Sequence, residues 1–105
     1  MTLPTWTGRS HFEYQGSVRK GTQIWFGKDK HSLTVLASQY TGLLDHFKGQ
    51  EVSVGTSRDK PQPGSLGEWL QKNVTRTAIV SYLAPILVTE RYARRVTDQT
   101  KIKFD

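Results

Sequence analysis

The C-terminal part of the chain decides the fold. Residues 73–104 read NVTRTAIVSYLAPIL (73–87), VTERYARRV (88–96), TDQT (97–100) and KIKF (101–104). The first two blocks predict a helix from Thr75 to Arg91, because a Thr hydroxyl can accept a hydrogen bond from the free amides of a first helical turn. Its buried stripe has helical spacing and comprises Ile79, Leu83, Ile86 and Leu87. Asn73 tolerates the left-handed conformation of a sharp turn, and Val74 would fill the angle to the preceding helix.

The residues that follow this helix predict a hairpin. Strands over Arg94–Val96 and Lys101–Phe104 would flank a polar turn at 97–100. Both strands carry basic residues, so the hairpin is expected to be positively charged.

Two helices and a strand are predicted ahead of this stretch. A helix is expected over Ser38–Lys48, ending at Gly49, the residue best suited to a left-handed terminating conformation. Its apolar stripe is Tyr40, Leu43, Leu44 and Phe47. A short strand is expected at Glu51–Val54. A second helix is expected over Ser65–Lys72, because Ser65 and Glu68 have the spacing of a capping box.

This succession resembles the winged helix-turn-helix family of DNA-binding regulators. The third helix of that family typically begins with a small turn residue, a buried aliphatic residue, a Ser or Thr cap and an Arg, the types found at residues 73–76. The resemblance covers residues 38–104. It implies a winged helix-turn-helix over residues 37–105 and leaves the N-terminal β-hairpin of residues 1–36 unexplained. With that hairpin as an extension, we expect an α+β fold, and the chain length predicts a single domain of residues 1–105.

The resemblance also implies how DNA would be bound. The recognition helix 75–91 would enter the major groove, and Arg76 near its N-terminus would present its guanidinium to a guanine edge. The basic wing 94–104 would neutralise phosphates. The predicted DNA-binding residues are Thr75, Arg76, Thr77, Val80, Ser81, Arg94, Arg95, Lys101 and Lys103. The alternatives are that Arg76 is an ordinary surface arginine and that the hairpin cations protect a solvated sheet edge.

Two features depart from the family's pattern. Val80 and Ala84 stand where base-reading residues are usually polar, and Pro85 sits mid-helix, where it removes one hydrogen bond and frees the carbonyl of Ser81. Apolar side chains can contact thymine methyl groups, but they also suit a protein partner. One alternative function is therefore a winged-helix protein–protein interaction module that uses Val80, Ala84 and Pro85. Another is RNA binding through the basic face and the N-terminal hairpin.

The N-terminal third predicts β-structure. Residues 1–10 are expected to form a loose arm, and His11–Val18 and Gln23–Phe26 are expected to form a hairpin. Trp25 and Phe26 are adjacent in a strand, so one of them should face outward. An exposed ring there would indicate a dimer contact or a stacking surface, and a small second core is the alternative.

The charge balance favours a polyanionic partner. Lys and Arg number 15 against 9 Asp and Glu, a net charge of +6. Residues 1–50 carry six basic and three acidic side chains, residues 75–105 carry the same, and residues 51–74 carry three of each. The second concentration of charge coincides with the predicted DNA-binding stretch. The sequence therefore predicts a non-enzymatic duplex-DNA-binding protein, acting in transcription regulation or as an accessory factor of a mobile element or defence system.

Other classes of protein find little support. The chain has no cysteine, which excludes disulfide scaffolds and thiolate metal sites and suits a cytoplasmic protein. No apolar run reaches the length of a membrane span, and residues 1–10 lack the apolar stretch of a signal peptide. His11, His31 and His46 are scattered and form no metal-binding pair. No cofactor, metal or membrane partner is expected, and a homodimer or a protein partner stays open.

Overall fold

A computed structural model describes residues 1–96 and 99–105. Within these residues the chain is a mixed α+β fold of three helices and two antiparallel sheets. The strands are β1 (Thr2–Pro4), β2 (His11–Ser17), β3 (Gly21–Phe26), β4 (His31–Val35), β5 (Glu51–Ser53), β6 (Ala93–Arg95) and β7 (Lys101–Phe104). The helices are α1 (Ala37–Phe47), α2 (Leu66–Asn73) and α3 (Val80–Thr89).

The first sheet has the strand order β1-β2-β3-β4. The predicted hairpin is confirmed as β2 and β3, since alternating residues such as Phe12 and Ile24 point into the core. The predicted loose arm is wrong, because Thr2–Pro4 pairs with β2. Trp6, which follows β1, is only 4% exposed. An arm whose single indole is buried in the core gains enough apolar burial to be ordered.

The helix α1 confirms the predicted stripe, with Tyr40, Leu43 and Phe47 buried. It begins earlier than expected, with Leu36 as the N-cap in place of Ser38. The reason is the side chain of Gln39, whose Oε1 accepts a hydrogen bond of 2.8 Å from the Leu36 amide. A side chain that reaches back to the cap amide fixes the helix start as well as a capping hydroxyl does.

The helix α2 confirms the predicted cap. Ser65 Oγ accepts a hydrogen bond of 3.1 Å from the Glu68 amide. The carboxylate of Glu68 accepts from the amide of Gly64, one residue before the position that a capping box uses.

The helix α3 begins later than predicted, at Val80 in place of Thr75. Residues 75–79 are not helical, so the expected tight turn at Asn73–Val74 is a longer connection. Thr75 Oγ1 accepts a hydrogen bond of 3.4 Å from the Thr77 amide. Local bonding of this kind competes with the helix. The helix α3 starts at Val80, the first of its six buried residues.

Pro85 has the predicted effect on α3. Proline lacks the amide that would bond the Ser81 carbonyl, and that carbonyl accepts a hydrogen bond of 3.0 Å from the Trp6 amide instead. The N-terminal segment is thereby attached to the middle of α3.

The second sheet has the order β5-β7-β6. It confirms the predicted strand at Glu51–Val54 and the predicted C-terminal hairpin. Residues 97 and 98 of the expected hairpin turn lie outside the described residues. Phe104 of β7 stacks on Phe47 of α1, with ring centroids 5.2 Å apart. Buried residues from both sheets and the helices pack in one core cluster.

Glu90, just after α3, joins this helix to the first sheet. Its carboxylate accepts hydrogen bonds of 3.0 Å from the Tyr14 hydroxyl and 2.9 Å from the Val18 amide. Burial raises the pKa of Tyr14 to about 12, and the hydrogen bond to the Glu90 carboxylate and its negative charge add to this effect. The phenol therefore stays protonated over the ordinary pH range and acts as a hydrogen-bond donor.

This contact predicts a loss of stability at alkaline pH. Above pH 10, the ordinary pKa of tyrosine, the unfolded chain releases the Tyr14 proton more readily than the native protein does. The free energy of unfolding is therefore expected to fall between pH 10 and about 12. In a Tyr14→Phe variant the fall should be shallower. Urea titrations at a series of pH values would measure it, and parallel curves for the two proteins would contradict the assignment.

Candidate functional site

The predicted recognition helix is covered by the first sheet. Tyr82 of α3 stacks on Phe26, with centroids 4.6 Å apart, and makes an edge contact with Phe12 at 5.3 Å. Val80 is 2% exposed, and Ser81 is half-buried, with its carbonyl bonded to the Trp6 amide. Val80 cannot reach a base edge in this fold, so that assignment is wrong. Ser81 is attached to the N-terminal segment through its backbone carbonyl, and a nucleic-acid contact by its hydroxyl stays a prediction.

The alternative in which Val80, Ala84 and Pro85 bind a protein partner is wrong for the same reason. Ala84 is 0% exposed and Pro85 is buried with it in α3. Their apolar character reflects the core, because α3 is surrounded by other elements of the protein.

Arg95 makes a contact that the sequence did not suggest. Its guanidinium carbon lies 3.8 Å from the centroid of the Trp6 ring, and Nη1 donates a hydrogen bond of 3.1 Å to the Trp6 carbonyl. The Trp6 indole donates a hydrogen bond of 2.7 Å to the Gln99 carbonyl. Arg95 therefore lies over Trp6, at the junction of the N-terminal segment and the C-terminal hairpin, and not beside the other predicted phosphate contacts.

The remaining hairpin cations share the outer face of the second sheet. Lys103 lies opposite Arg94 on one side and Glu51 on the other, and Lys101 lies opposite Ser53. Arg94 and Lys101 are exposed. Lys103 is half-buried, and its ammonium donates to the Gly49 carbonyl. Arg94 and Lys101 are therefore the hairpin cations best placed to meet an anion.

The three predicted DNA-binding residues before α3 lie on two different parts of the surface. Thr75 and Thr77 line a recess beside the edge of the first sheet, together with His31 and Leu33. Arg76 is exposed and lies in a different groove. The structure therefore does not place the three residues on one surface that could contact base edges.

The groove beside Arg76 brings together cations from separate segments of the chain. We call it the α2 groove. It lies between the loop at 58–61 and α2 and is lined by Arg58, Asp59, Lys60, Pro61, Glu68, Gln71, Lys72 and Arg76. Gln71 Nε2 donates a hydrogen bond of 3.1 Å to the Arg58 carbonyl, which fixes the loop against the helix.

The cations of the α2 groove differ in whether a carboxylate lies close to them. Lys72 Nζ lies 3.8 Å from Glu68 Oε2. Among residues 1–96 and 99–105, no carboxylate lies within 4.0 Å of the cationic groups of Arg58, Lys60 or Arg76. Sequence reasoning missed this site, because residues 51–74 are neutral as a stretch and the pattern around Arg76 is typical of a helix start. Of the three carboxylates in that stretch, Glu51 lies elsewhere on the fold, whereas Asp59 and Glu68 line the groove beside its four cations.

These groups suit anion binding better than proton transfer. Guanidinium and ammonium groups match phosphate oxygens in charge and hydrogen-bond geometry. Burial raises the pKa of Tyr14, Tyr40 and Tyr82, so these phenols stay protonated near neutral pH. Among the described residues, His, Asp and Glu side chains form no group of three or more that would hold a metal ion.

None of the helices formed by residues 1–96 and 99–105 has the length and apolar character needed to cross a membrane. Compared with known protein families, curated proteins and solved structures, the chain matches none of them.

Proposed function

We propose that this protein binds nucleic acid, with duplex DNA as its principal ligand, through phosphate contacts made by exposed cations. The observation that carries the proposal is the α2 groove, where Arg58, Lys60 and Arg76 converge from a loop and an interhelical connection. Each duplex phosphate carries a negative charge, and its neutralisation releases bound counterions, which drives association whatever the base sequence.

The architecture supports a winged-helix assignment for residues 37–105. The element order α1-β5-α2-α3-β6-β7 follows the succession that suggested the family. The docking mode that we propose differs from the one this family resemblance implies, since the first sheet covers α3. Contacts that hold the backbone without reading bases suit an accessory role better than recognition of one site.

The test is a comparison of two triple variants that remove the same charges. Arg58→Ala, Lys60→Ala and Arg76→Ala together empty the α2 groove of its unpaired cations. The matched control is Arg9→Ala, Arg19→Ala and Lys20→Ala, which also removes two Arg and one Lys, all exposed, from the N-terminal region. Fluorescence anisotropy with labelled duplex DNA would measure affinity at several salt concentrations.

The groove variant is expected to lose affinity equally on duplexes of different sequence. Its slope of log K against log salt should become shallower by about 0.9 for each phosphate that the protein no longer neutralises. The control variant should keep most of the wild-type slope. Equal losses of affinity in both variants would show that only net charge matters, and wild-type binding that does not change with salt would overturn the proposal.

A further inference from the structure

Trp25 is a large aromatic residue that lies outside the hydrophobic core. Its strand neighbours point inward: Ile24 is 0% exposed, and Phe26 stacks on Tyr82. Alternation along β3 therefore places the Trp25 indole on the outer face of the first sheet, where it is half-buried. Of the two adjacent aromatic residues, Trp25 is thus the one that faces outward.

The indole lies in a shallow cleft of about 170 Å³. This volume is roughly tenfold larger than the 10–15 Å³ that a cavity needs to hold one water on the same measure, so the cleft can take a ligand larger than water. Its other lining residues include Thr2, His11, Glu13, Gly27 and Lys30. An indole on a sheet surface gives a flat apolar platform, and aromatic platforms of this kind stack unpaired bases.

Glu13 gives the cleft its chemical preference. It lies directly opposite Trp25 in the β2–β3 register, so the two side chains share the outer face. Glu13 is exposed and, within the part of the chain that the structure describes, makes no ion pair. A carboxylate accepts hydrogen bonds only, and it pairs with the exocyclic amino group of cytosine but not with the carbonyl that thymine or uracil has there.

The rim supports a nucleic-acid ligand over a protein surface. Lys30 is exposed and offers an ammonium beside the cleft for a phosphate. The other outward residues of the sheet are polar, among them Gln15, Gln23, Ser32 and Thr34. Phe12 and Phe26 also line the cleft, but Phe12 is buried and Phe26 is stacked on Tyr82. The apolar lining is thus three neighbouring rings with Trp25 outermost, whereas the centre of a protein interface is a wider apolar patch.

We propose that the Trp25 cleft binds a single unpaired nucleobase that carries an exocyclic amino group, cytosine before thymine or uracil. The inference rests on the proposed function for the class of ligand, and it adds a second site with a different recognition chemistry. Bases inside a duplex are stacked and paired, so they cannot enter the cleft. The α2 groove would hold backbone phosphates, and the Trp25 cleft would hold a base from a single-stranded segment.

The experiment compares short oligocytidylate and oligothymidylate, each about eight nucleotides long, a length within the range of single-strand sites. The two oligomers have the same number of phosphates, so contacts to the backbone cancel. Trp25→Ala is expected to weaken oligocytidylate binding about 5- to 100-fold, and Trp25→Phe, which keeps an aromatic platform, by much less. Duplex binding should be unchanged in both variants.

Glu13→Gln tests the base preference separately. Glutamine can both accept and donate, so this variant is expected to bind the two oligomers about equally, whereas the wild type favours oligocytidylate by about fivefold or more. Gln23→Ala, an exposed change on the same face of β3, is the control and should alter neither affinity.

The outcomes separate the two proposals. Wild-type protein that binds neither duplex nor oligomer would overturn the proposed function and this inference together. Wild-type protein that binds duplex, and binds oligocytidylate equally with and without Trp25, would overturn the inference alone. Equal wild-type affinity for the two oligomers would remove the role assigned to Glu13.

Discussion

Trp6→Ala is expected to lower the free energy of unfolding by about 3–5 kcal/mol, the range measured for aromatic residues removed from a core. Trp6 is 4% exposed, and its indole donates a hydrogen bond to the Gln99 carbonyl. The Arg95 guanidinium stacks on the same ring. The substitution would leave a cavity where the N-terminal segment, α3 and the C-terminal hairpin meet, and it would leave Arg95 without its aromatic neighbour.

Two milder variants divide this effect into its parts. Trp6→Phe keeps a ring but removes the indole N–H, so its destabilisation should be smaller than that of Trp6→Ala. Arg95→Ala leaves the core filled but removes the cation–π interaction, worth about 0.5–1 kcal/mol at an exposed site, together with the hydrogen bond to the Trp6 carbonyl. Urea unfolding followed by circular dichroism would rank the three. If Trp6→Ala costs less than about 1 kcal/mol, the N-terminal segment does not pack on the hairpin in solution.

Local signals in the sequence predicted much of the fold. The hydroxyl of Ser65, the apolar stripe of α1 and the alternation in β2 each act within a few residues, and each is confirmed. These features can be predicted from the sequence because capping and periodicity depend only on residues within one segment and not on the tertiary fold.

The predicted stripe of Ile79, Leu83, Ile86 and Leu87 is buried as expected, but the predicted exposed face of α3 is wrong because the rest of the fold determines its environment. An apolar helix face looks the same in sequence whether it awaits a partner or lies in the core. Here the first sheet covers it, with Tyr82 against Phe12 and Phe26. The start of the helix was misplaced because Thr75 bonds the Thr77 amide in a non-helical connection, and α3 begins only at Val80.

The α2 groove was missed because charge was counted along the chain. Arg58 and Arg76 are far apart in sequence, and the loop at 58–61 also carries Asp59. Only the folded chain shows which cations converge, since the hydrogen bond from Gln71 to the Arg58 carbonyl places the loop beside α2. The position of Trp25 was predictable in part. The sequence shows that Trp25 points to the opposite face of the strand from Ile24 and Phe26, but it does not show which of the two faces the rest of the protein covers.

Gly67→Ala is expected to destabilise the protein by about 3 kcal/mol, the upper part of the range for overpacking. Gly67 is buried near the start of α2, and its amide donates a hydrogen bond of 2.8 Å to the Val54 carbonyl. A Cβ at this position would overlap the carbonyl oxygen of Gly55 and lie 3.2 Å from that of Val54. These obstacles are backbone atoms, so relief would require α2 to move away from the segment after β5.

Gly42→Ala is the matched control, because it is the same substitution in another helix. Gly42 lies in α1 and is exposed, and a Cβ there would meet only Trp69 ring atoms at 3.7 Å, an ordinary contact. Helix propensity then decides the outcome, and the free energy of unfolding of the variant should be higher by about 0.5–1 kcal/mol. Chemical denaturation of both variants would measure the difference. Two shifts of the same sign would show that α2 does not approach the Val54–Gly55 backbone as closely as the structure places it.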